Sequence, residues 1–232
     1  MTTTATTVMV TGASGNLGRA VAQAFAERGT NLVLIDRRPE RLAAVFGGES
    51  ASRVFAIADL LDRAQVEAAA RTAIERFGRI DVLCNIAGGF RMGTQVHETT
   101  DGDWDFLFDI NVRTLVNAVR AVVPHMSSGG KIINVGAASA QKGVAGMGAY
   151  CAAKSAVIRI TEAMAAELRE KNINVNCVLP TTIDTPENRA AMPGADPARW
   201  VAPDDLAQVF VFLASPAARA IHGAAVPVSA LS

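Results

Sequence analysis

Short apolar runs alternate with longer helical patterns along the 232-residue chain. Runs such as "LVLI" and "KIINV" are almost continuously apolar, which is typical of strands buried on both faces of a parallel sheet. The segments between them repeat their apolar residues at helical spacing. Strands that alternate with helices through right-handed crossovers build a doubly wound sheet. The pattern therefore predicts an α/β fold, a parallel sheet of about seven strands with helices on both faces.

The apolar runs also give the limits of the predicted strands and helices. Strands are predicted at residues 7–12, 31–36, 53–59, 80–88, 130–136 and 173–180, before a last strand. Helices are predicted at residues 16–29, 61–78, 101–126 and 148–172, before a last helix. Asp101 or Asp103 is expected to cap the third helix. The chain shows no linker or repeat, so residues 1–232 are interpreted as one domain, with a proline-rich loop at about 181–202.

The composition narrows the class of function. Twenty-two basic and 22 acidic residues cancel, which gives no electrostatic reason to expect nucleic acid or an anionic membrane as partner. The three cysteines and three histidines are scattered singly, so buried thiols are expected rather than disulfides or a metal site. Residues 1–7 lack the basic and apolar regions of a signal peptide. We expect a cytoplasmic protein that acts on a small molecule.

A glycine-rich turn, "TGASGNLG", follows the first strand and opens the first helix. Gly12, Gly15 and Gly18 allow a tight turn and a close approach of the backbone to a ligand. A pyrophosphate can then bind at the helix N-terminus, where free N–H groups and the helix dipole favour an anion. The turn lies between a predicted strand and a predicted helix, and this context indicates a dinucleotide site.

Asp36 ends the second strand, where a carboxylate can accept hydrogen bonds from both hydroxyls of an adenine ribose. That position favours NAD and repels a 2′-phosphate. Arg37 and Arg38 follow directly, and either can instead bind such a phosphate. NADH is therefore the favoured cofactor, with NADPH as the alternative.

Tyr150 and Lys154 in "YCAAK" lie four residues apart, the spacing that brings two side chains together on a helix. A phenol titrates near pH 10. A neighbouring ammonium stabilises the phenolate, so Lys154 is expected to lower the pKa of Tyr150 and make it a better acid–base catalyst.

Together these motifs resemble the short-chain dehydrogenase/reductase family over essentially the whole chain. The resemblance implies an NAD(P)-dependent oxidoreductase with a Rossmann fold, in which Tyr150 donates the proton, Lys154 binds the nicotinamide ribose and Asn111 in "DINV" holds a relay water. "NIAG" and "IDTP" resemble further cofactor motifs. Besides the glycines, Asp36 and Arg37, the implied cofactor residues are Asn16, Leu17, Asp59, Leu60, Asn85, Ala87, Gly88, Tyr150, Lys154, Pro180, Ile183 and Thr185.

One element of the family pattern is missing. The catalytic serine precedes the tyrosine by thirteen residues, a position held here by Ala137. Ser139 stands two residues further on and is an alternative hydroxyl. The dihydropteridine reductase branch works without this serine, and "LPTTIDTPENRAAMPGADPARW" resembles a long segment of that branch. Asn111, by contrast, is similar to the ordinary family pattern.

The resemblance therefore suggests a quinonoid dihydropterin as a candidate substrate. Such a ring spreads charge over several nitrogens, so one proton donor can suffice, and a small Ala137 leaves room for a flat ring. Phe90 and Met147 are candidate pocket walls, and Asn188 or Arg189 is a candidate contact to a polar substrate edge. The alternatives are a carbonyl, secondary-alcohol or 3-oxoacyl reductase of the same family, and a dinucleotide sensor with weak turnover.

Assembly is implied by the resemblance alone. Members of the family commonly pair through two long helices, which correspond here to residues 101–124 and 148–171. A homodimer or homotetramer is therefore expected.

Overall fold

The computed structural model describes residues 5–232. The sequence analysis predicts no signal peptide in residues 1–7. Residues 1–4 of that segment lie outside the described range. The strands are β1 (Thr7–Thr11), β2 (Asn31–Asp36), β3 (Arg53–Ile57), β4 (Ile80–Asn85), β5 (Met126–Val135), β6 (Asn174–Pro180) and β7 (Ala225–Val228). The helices are α1 (Asn16–Ala26), α2 (Pro39–Phe46), α3 (Arg63–Phe77), α4 (Asp101–Phe108), α5 (Thr114–Val122), α6 (Gly148–Leu168), α7 (Pro186–Ala191) and α8 (Pro203–Ala214).

The seven strands form one parallel sheet in the order β3-β2-β1-β4-β5-β6-β7. Alternate residues of a strand point to opposite faces. Val8 and Val10 of β1 accordingly pack in a core with Phe25 of α1 and Phe210 of α8. Met9 joins the opposite core, with residues of α3, α5 and α6. The predicted doubly wound sheet with helices on both faces is confirmed.

The long helix predicted at residues 101–126 is wrong in two details. Its first turn is capped by Thr100, whose hydroxyl accepts a hydrogen bond from the Asp103 N–H, and not by Asp101 or Asp103. A π-helical segment, Asp109–Arg113, separates α4 from α5. Such π segments inside helices frequently mark functional sites. This one contains Asn111.

The sequence pattern missed two short helices. Helix α2 begins at Pro39, a residue suited to the first turn, but it has only eight residues, and only Leu42 of these is buried. Helix α7 lies inside the proline-rich loop and is capped by the Thr185 hydroxyl, which accepts from the Asn188 N–H. The loop at 181–202 is therefore partly helical.

Candidate active site

The strand order reverses between β1 and β4, and in open α/β sheets the crevice beyond the carboxyl ends of the strands at such a point is where ligands bind. A cleft of about 410 Å³ opens there. Twelve of the predicted cofactor residues line it: Gly12, Gly15, Asn16, Leu17, Gly18, Asp36, Arg37, Asp59, Leu60, Ala87, Gly88 and Thr185.

Five other predicted cofactor residues do not line the cleft. Asn85 is buried, and its amide donates to Asn134 Oδ1 across the sheet. Pro180 ends β6 and pairs with β7, and Ile183 forms a bridge with Val201. The cofactor role predicted for Asn85 is therefore not supported by its contacts, because its side chain stabilises the pairing of β4 and β5. Tyr150 and Lys154 are described below.

The glycine-rich turn is shaped to hold an anion. Gly12 has a φ of 63°, in the region that favours glycine. A Cβ at Gly18 would lie 2.2 Å from the Gly12 carbonyl oxygen, so only glycine fits there. No side chain caps the N-terminus of α1. Because the first N–H groups of a helix lack intrahelical partners, this turn presents donors where a pyrophosphate would sit. The residues present fit a dinucleotide.

Asp36 is held toward the glycine-rich turn. Ser14 donates twice to Asp36 Oδ2, from Oγ at 2.6 Å and from its N–H at 3.3 Å, and the Arg38 N–H donates to Oδ1 at 3.3 Å. A carboxylate has about four acceptor positions, so one of them stays open to a ribose hydroxyl. Arg37 pairs with a different carboxylate, since its guanidinium lies 3.7 Å from Asp59 Oδ2. The sequence therefore missed Ser14 as the residue that orients Asp36.

Tyr150 and Lys154 occupy the first turns of α6. Lys154 is buried, and its Nζ donates to the Val135 carbonyl at 2.9 Å. The Tyr150 ring meets the Phe90 ring edge-on, with centroids 4.8 Å apart. Burial raises the pKa of Tyr150 to about 12, and Cys151 adds to the rise. Burial lowers the pKa of Lys154 to about 8.

The predicted lowering of the Tyr150 pKa by Lys154 is therefore wrong. The i, i+4 spacing is present, but the ammonium is directed to the end of β5, and burial of the phenol dominates. A phenol with a raised pKa stays protonated at neutral pH, so the proton to be donated is present, but the phenol is a weaker acid than an exposed tyrosine.

Gly88 lets Asn111 and Lys154 approach one another. A Cβ at Gly88 would lie 2.9 Å from Asn111 Oδ1 and 3.3 Å from Lys154 Nζ. The Asn111 amide bonds both backbone groups of Gly89 and also donates to the Leu107 carbonyl. These bonds tie the π-helical segment to the chain after β4. The relay-water role of Asn111 stays a prediction.

The position of the missing serine is tightly enclosed. Ala137 is buried just beyond β5, two residues after the carbonyl that Lys154 contacts. A Cβ at Gly136 would lie 2.6 Å from Leu179 Cδ2, so this segment has little freedom to shift. Ser139 is half-buried on the following 3₁₀ turn, Ala138–Gln141. Moving its hydroxyl to the place of Ala137 would require the backbone to shift.

Two of the predicted substrate residues, Phe90 and Met147, lie near Tyr150, whereas Asn188 and Arg189 are engaged elsewhere. Phe90 contacts Tyr150 while 51 % of it is exposed, and Met147 lines a second cavity with Tyr150. Asn188 instead donates to the Ile183 carbonyl at 2.8 Å, and Arg189 is paired with Asp184. The contacts of Asn188 and Arg189 stabilise the loop around α7, so a substrate contact from either residue is not supported.

The sequence missed one residue that lines the cleft, Arg41, and one that bonds to a cleft residue, Glu187. Arg41 lies one helical turn beyond Arg37 and lines the cleft. Glu187 accepts a hydrogen bond of 2.8 Å from Asn16, which joins α7 to the glycine-rich turn. The arginines of "RRPER" were a sequence signal for Arg41. No local pattern could have paired Glu187 with Asn16, because 171 positions separate the two.

Residues 5–232 offer little support for other kinds of site. No group of three or more metal-ligating side chains is present in this range. The helices of the same residues are too short or too polar to cross a membrane. Cys84, Cys151 and Cys177 are free and buried, as expected from their apolar surroundings.

The sheet order, the glycine-rich turn and the cleft define a dinucleotide-binding protein with a Rossmann-like fold. The sequence profile of the short chain dehydrogenase family matches residues 6–195. The chain belongs to this family and is an NAD(P)-dependent oxidoreductase. The position of Lys154 agrees with this, because its Nζ would lie 3.3 Å from a Cβ at Gly88, which lines the cleft.

Three similar proteins illustrate the range of the family. D-threitol dehydrogenase of Mycolicibacterium smegmatis is 36 % identical over 231 residues, covering 93 % of this chain and 88 % of its own length. A short chain dehydrogenase from Burkholderia cenocepacia in complex with NADP has 32 % identity and a TM-score of 0.88, covering 97 % and 96 % of the two chains. Carveol dehydrogenase from Mycobacterium avium in complex with NAD has 27 % identity and the same TM-score and coverage.

Proposed function

We propose that this enzyme transfers hydride between a nicotinamide dinucleotide and a small carbonyl or secondary-alcohol substrate. The observation that carries the proposal is the Tyr150–Lys154 pair at the start of α6, with Lys154 buried next to Gly88 of the cleft that fits a dinucleotide. Similarity to a threitol dehydrogenase supports a hydroxyl or carbonyl as the reacting group.

Each residue of the pair has a separate task in this proposal. A bound nicotinamide dinucleotide would supply or accept the hydride. Tyr150 would donate its proton to the substrate oxygen in reduction and take it back in oxidation. Lys154, anchored on the Val135 carbonyl, would bind the nicotinamide ribose. Phe90 would exclude water from the Tyr150 ring.

The activity can be tested with a panel of acceptors. Purified enzyme would be assayed for oxidation of NADH and NADPH with simple ketones, an acetoacetyl thioester and a quinonoid dihydropterin, and for reduction of NAD⁺ with sugar alcohols. Turnover of a ketone or polyol is expected. Tight dinucleotide binding without turnover of any acceptor would instead favour the sensor alternative.

NADH is proposed as the preferred cofactor because Asp36 is held in place by Ser14. The Asp36→Asn variant is expected to lower the ratio of kcat/KM for NADH over NADPH by about tenfold or more, since a hydrogen bond to a charged group contributes about 1.5–3 kcal/mol. Steady-state kinetics with both cofactors measure this ratio.

The control for Asp36 is Arg37→Gln, which removes a cleft cation but leaves Asp36 intact. It is expected to lower kcat/KM for NADPH alone. Wild-type enzyme that uses NADPH at least as well as NADH would overturn the proposed preference and point to the arginines at 37, 38 and 41.

A quinonoid dihydropterin is the second candidate substrate. Ala137 and the segment at residues 179–200 favour it, because both resemble the dihydropteridine reductase branch. The absence of a hydroxyl at Ala137 removes one donor that a ketone oxygen would use. Direct comparison with ketones in the acceptor panel separates the two candidates.

Substitution of Ala137 by Ser tests which reaction the site performs. If the substrate is a ketone, Ala137→Ser is expected to raise kcat/KM for ketones by about tenfold or more, because a second donor then stabilises the charge on oxygen. If it is a pterin, the added hydroxyl should leave pterin reduction no faster and create no ketone activity.

Ser139→Ala is the matched control for Ala137→Ser. It should leave every activity within about threefold, a change of roughly 0.6 kcal/mol. A large loss would identify Ser139 as the hydroxyl that replaces the missing serine. Strong acceleration of pterin reduction by Ala137→Ser would contradict the explanation given for Ala137.

We further propose that residues 1–232 act as one domain, with 181–202 as the substrate segment, in a cytoplasmic homodimer or homotetramer. Assembly would involve α4, α5 and α6, as in other members of the family. Light scattering after size-exclusion chromatography measures the oligomeric state, and a monomer would contradict the assembly proposal.

A further inference from the structure

A second cavity, of about 300 Å³, lies beside Tyr150 and away from the glycine-rich turn. Its walls come from the loop after β4, from the start of α4 and from the start of α6. The lining residues are Arg91, Met92, Thr94, Thr99, Asp103, Leu107, Gly146, Met147, Gly148, Ala149 and Tyr150. The Gly93 N–H donates to the Gly146 carbonyl at 2.8 Å, which holds two of these walls together.

Arg91 is fixed in the wall of this cavity by two contacts. One nitrogen of its guanidinium bonds the Asp103 carboxylate, and its carbon lies 3.8 Å from the centre of the Phe106 ring. Gly89 makes this approach possible, because a Cβ there would lie 3.2 Å from Phe106 Cζ. An arginine has five N–H donors, so others remain available. Two contacts therefore orient this half-exposed guanidinium in the cavity wall.

Asp103 is fixed as well. Its Oδ1 accepts from Arg91 and its Oδ2 accepts from the Thr100 hydroxyl at 3.0 Å. Hydrogen bonds from Arg91 and then Thr100 lower the pKa of this carboxyl, so it is ionised at neutral pH. Each oxygen can accept a further hydrogen bond. One fixed donor group and one fixed acceptor group thus stand side by side in the cavity wall.

The charges of the lining residues define the ligand that fits. Arg91 and Asp103 are the only charged residues of the lining and they cancel, so a free anion or cation gains little. Met92, Leu107 and Met147 offer apolar contact instead. A neutral ring that presents an N–H next to a C=O matches this surface, with its carbonyl on Arg91 and its N–H on Asp103.

We infer that Arg91 and Asp103 form a substrate subsite, which selects neutral, planar substrates with an amide-like edge. The inference rests on the proposed function, because it places such a ring next to Tyr150 for reduction. It adds a specificity-determining pair outside the cofactor cleft. An amide edge occurs in lactam and pyrimidinone rings and is absent from simple ketones and sugar alcohols.

Isatin and N-methylisatin are suitable probes, since both are planar diones and only isatin has the lactam N–H. Calorimetry would measure the Kd of each for enzyme saturated with NAD⁺, where no reduction occurs. Wild type is expected to bind isatin about tenfold or more tightly, because a site built to bond a substrate N–H discriminates against its loss. The Asp103→Ala variant should bind the two equally.

Asp101→Ala is the matched control. It removes the other carboxylate of the first turn of α4, which does not line the cavity, so the preference for isatin should persist. The ratio of two Kd values is insensitive to a general loss of stability. Equal binding of both probes by wild type, an unchanged ratio in Asp103→Ala, or failure of isatin to bind would each overturn the inference.

Turnover distinguishes this inference from the proposed function. If isatin binds with the expected N–H preference but neither dione is reduced with NADH or NADPH, the subsite stands and the proposed carbonyl reaction is wrong for these rings. If both diones are reduced with equal kcat/KM and bind equally, the proposed function stands and the subsite is wrong.

Discussion

Replacing Tyr150 by Phe is expected to lower kcat by about 10²–10⁴-fold, the range that a positioned general acid or base contributes. The change removes one hydroxyl and keeps the ring that packs edge-on against Phe90. Lys154 should keep its place, because Nζ is bonded to the Val135 carbonyl and not to the phenol. Cofactor affinity and melting temperature should therefore change little. Steady-state kinetics, fluorescence titration with NADH and thermal unfolding measure the three quantities.

The same residue offers a direct spectroscopic check, because Tyr150 is the only tyrosine of the chain. Phenolate absorbance therefore reports on this side chain alone. With the pKa raised to about 12 by burial, the folded protein should show almost no phenolate at pH 10, where an exposed tyrosine is half ionised. Titration near pH 10 in folded protein would contradict the raised pKa, and Tyr150→Phe with near-normal kcat would contradict the proposed proton donor.

The strands and the cofactor cleft could be predicted because their signals are local. Continuous apolar runs mark strands buried on both faces, and β2 was predicted with its observed bounds, Asn31–Asp36. The glycine-rich turn was found because backbone geometry at Gly12 and Gly18 dictates the residue type. Both features follow from constraints that lie within a few residues.

The contacts that tune the site are long-range, and the sequence did not reveal them. Lys154 reaches a carbonyl 19 residues away instead of the phenol four residues away. The π-helical segment around Asn111 depends on bonds to Gly89, which precedes it by 22 residues. Helix α2 was missed because it has only eight residues, little more than two turns. Side-chain partners of this kind are decided by packing.

Replacing Gly18 by Ala is expected to weaken NADH binding by about 100-fold or more, which corresponds to roughly 2.7 kcal/mol or above. The added Cβ would lie 2.2 Å from the Gly12 carbonyl oxygen and 2.9 Å from Ala13 Cα. Both are backbone atoms of the glycine-rich turn, so the turn must move away from the N-terminus of α1. The donors there would then no longer converge on one anion. Fluorescence titration with NADH measures the change.

Two further variants separate a damaged turn from a damaged fold. A Cβ at Gly15 would lie 3.3 Å from the Gly12 oxygen, so Gly15→Ala should disturb the same turn far less and weaken binding only mildly. A Cβ at Gly48 would have no heavy atom within 4 Å, so Gly48→Ala should bind NADH like wild type. Circular dichroism would establish that each variant is folded. If folded Gly18→Ala bound NADH as tightly as Gly48→Ala, the pyrophosphate could not rest on this turn, and the cleft assignment would fail.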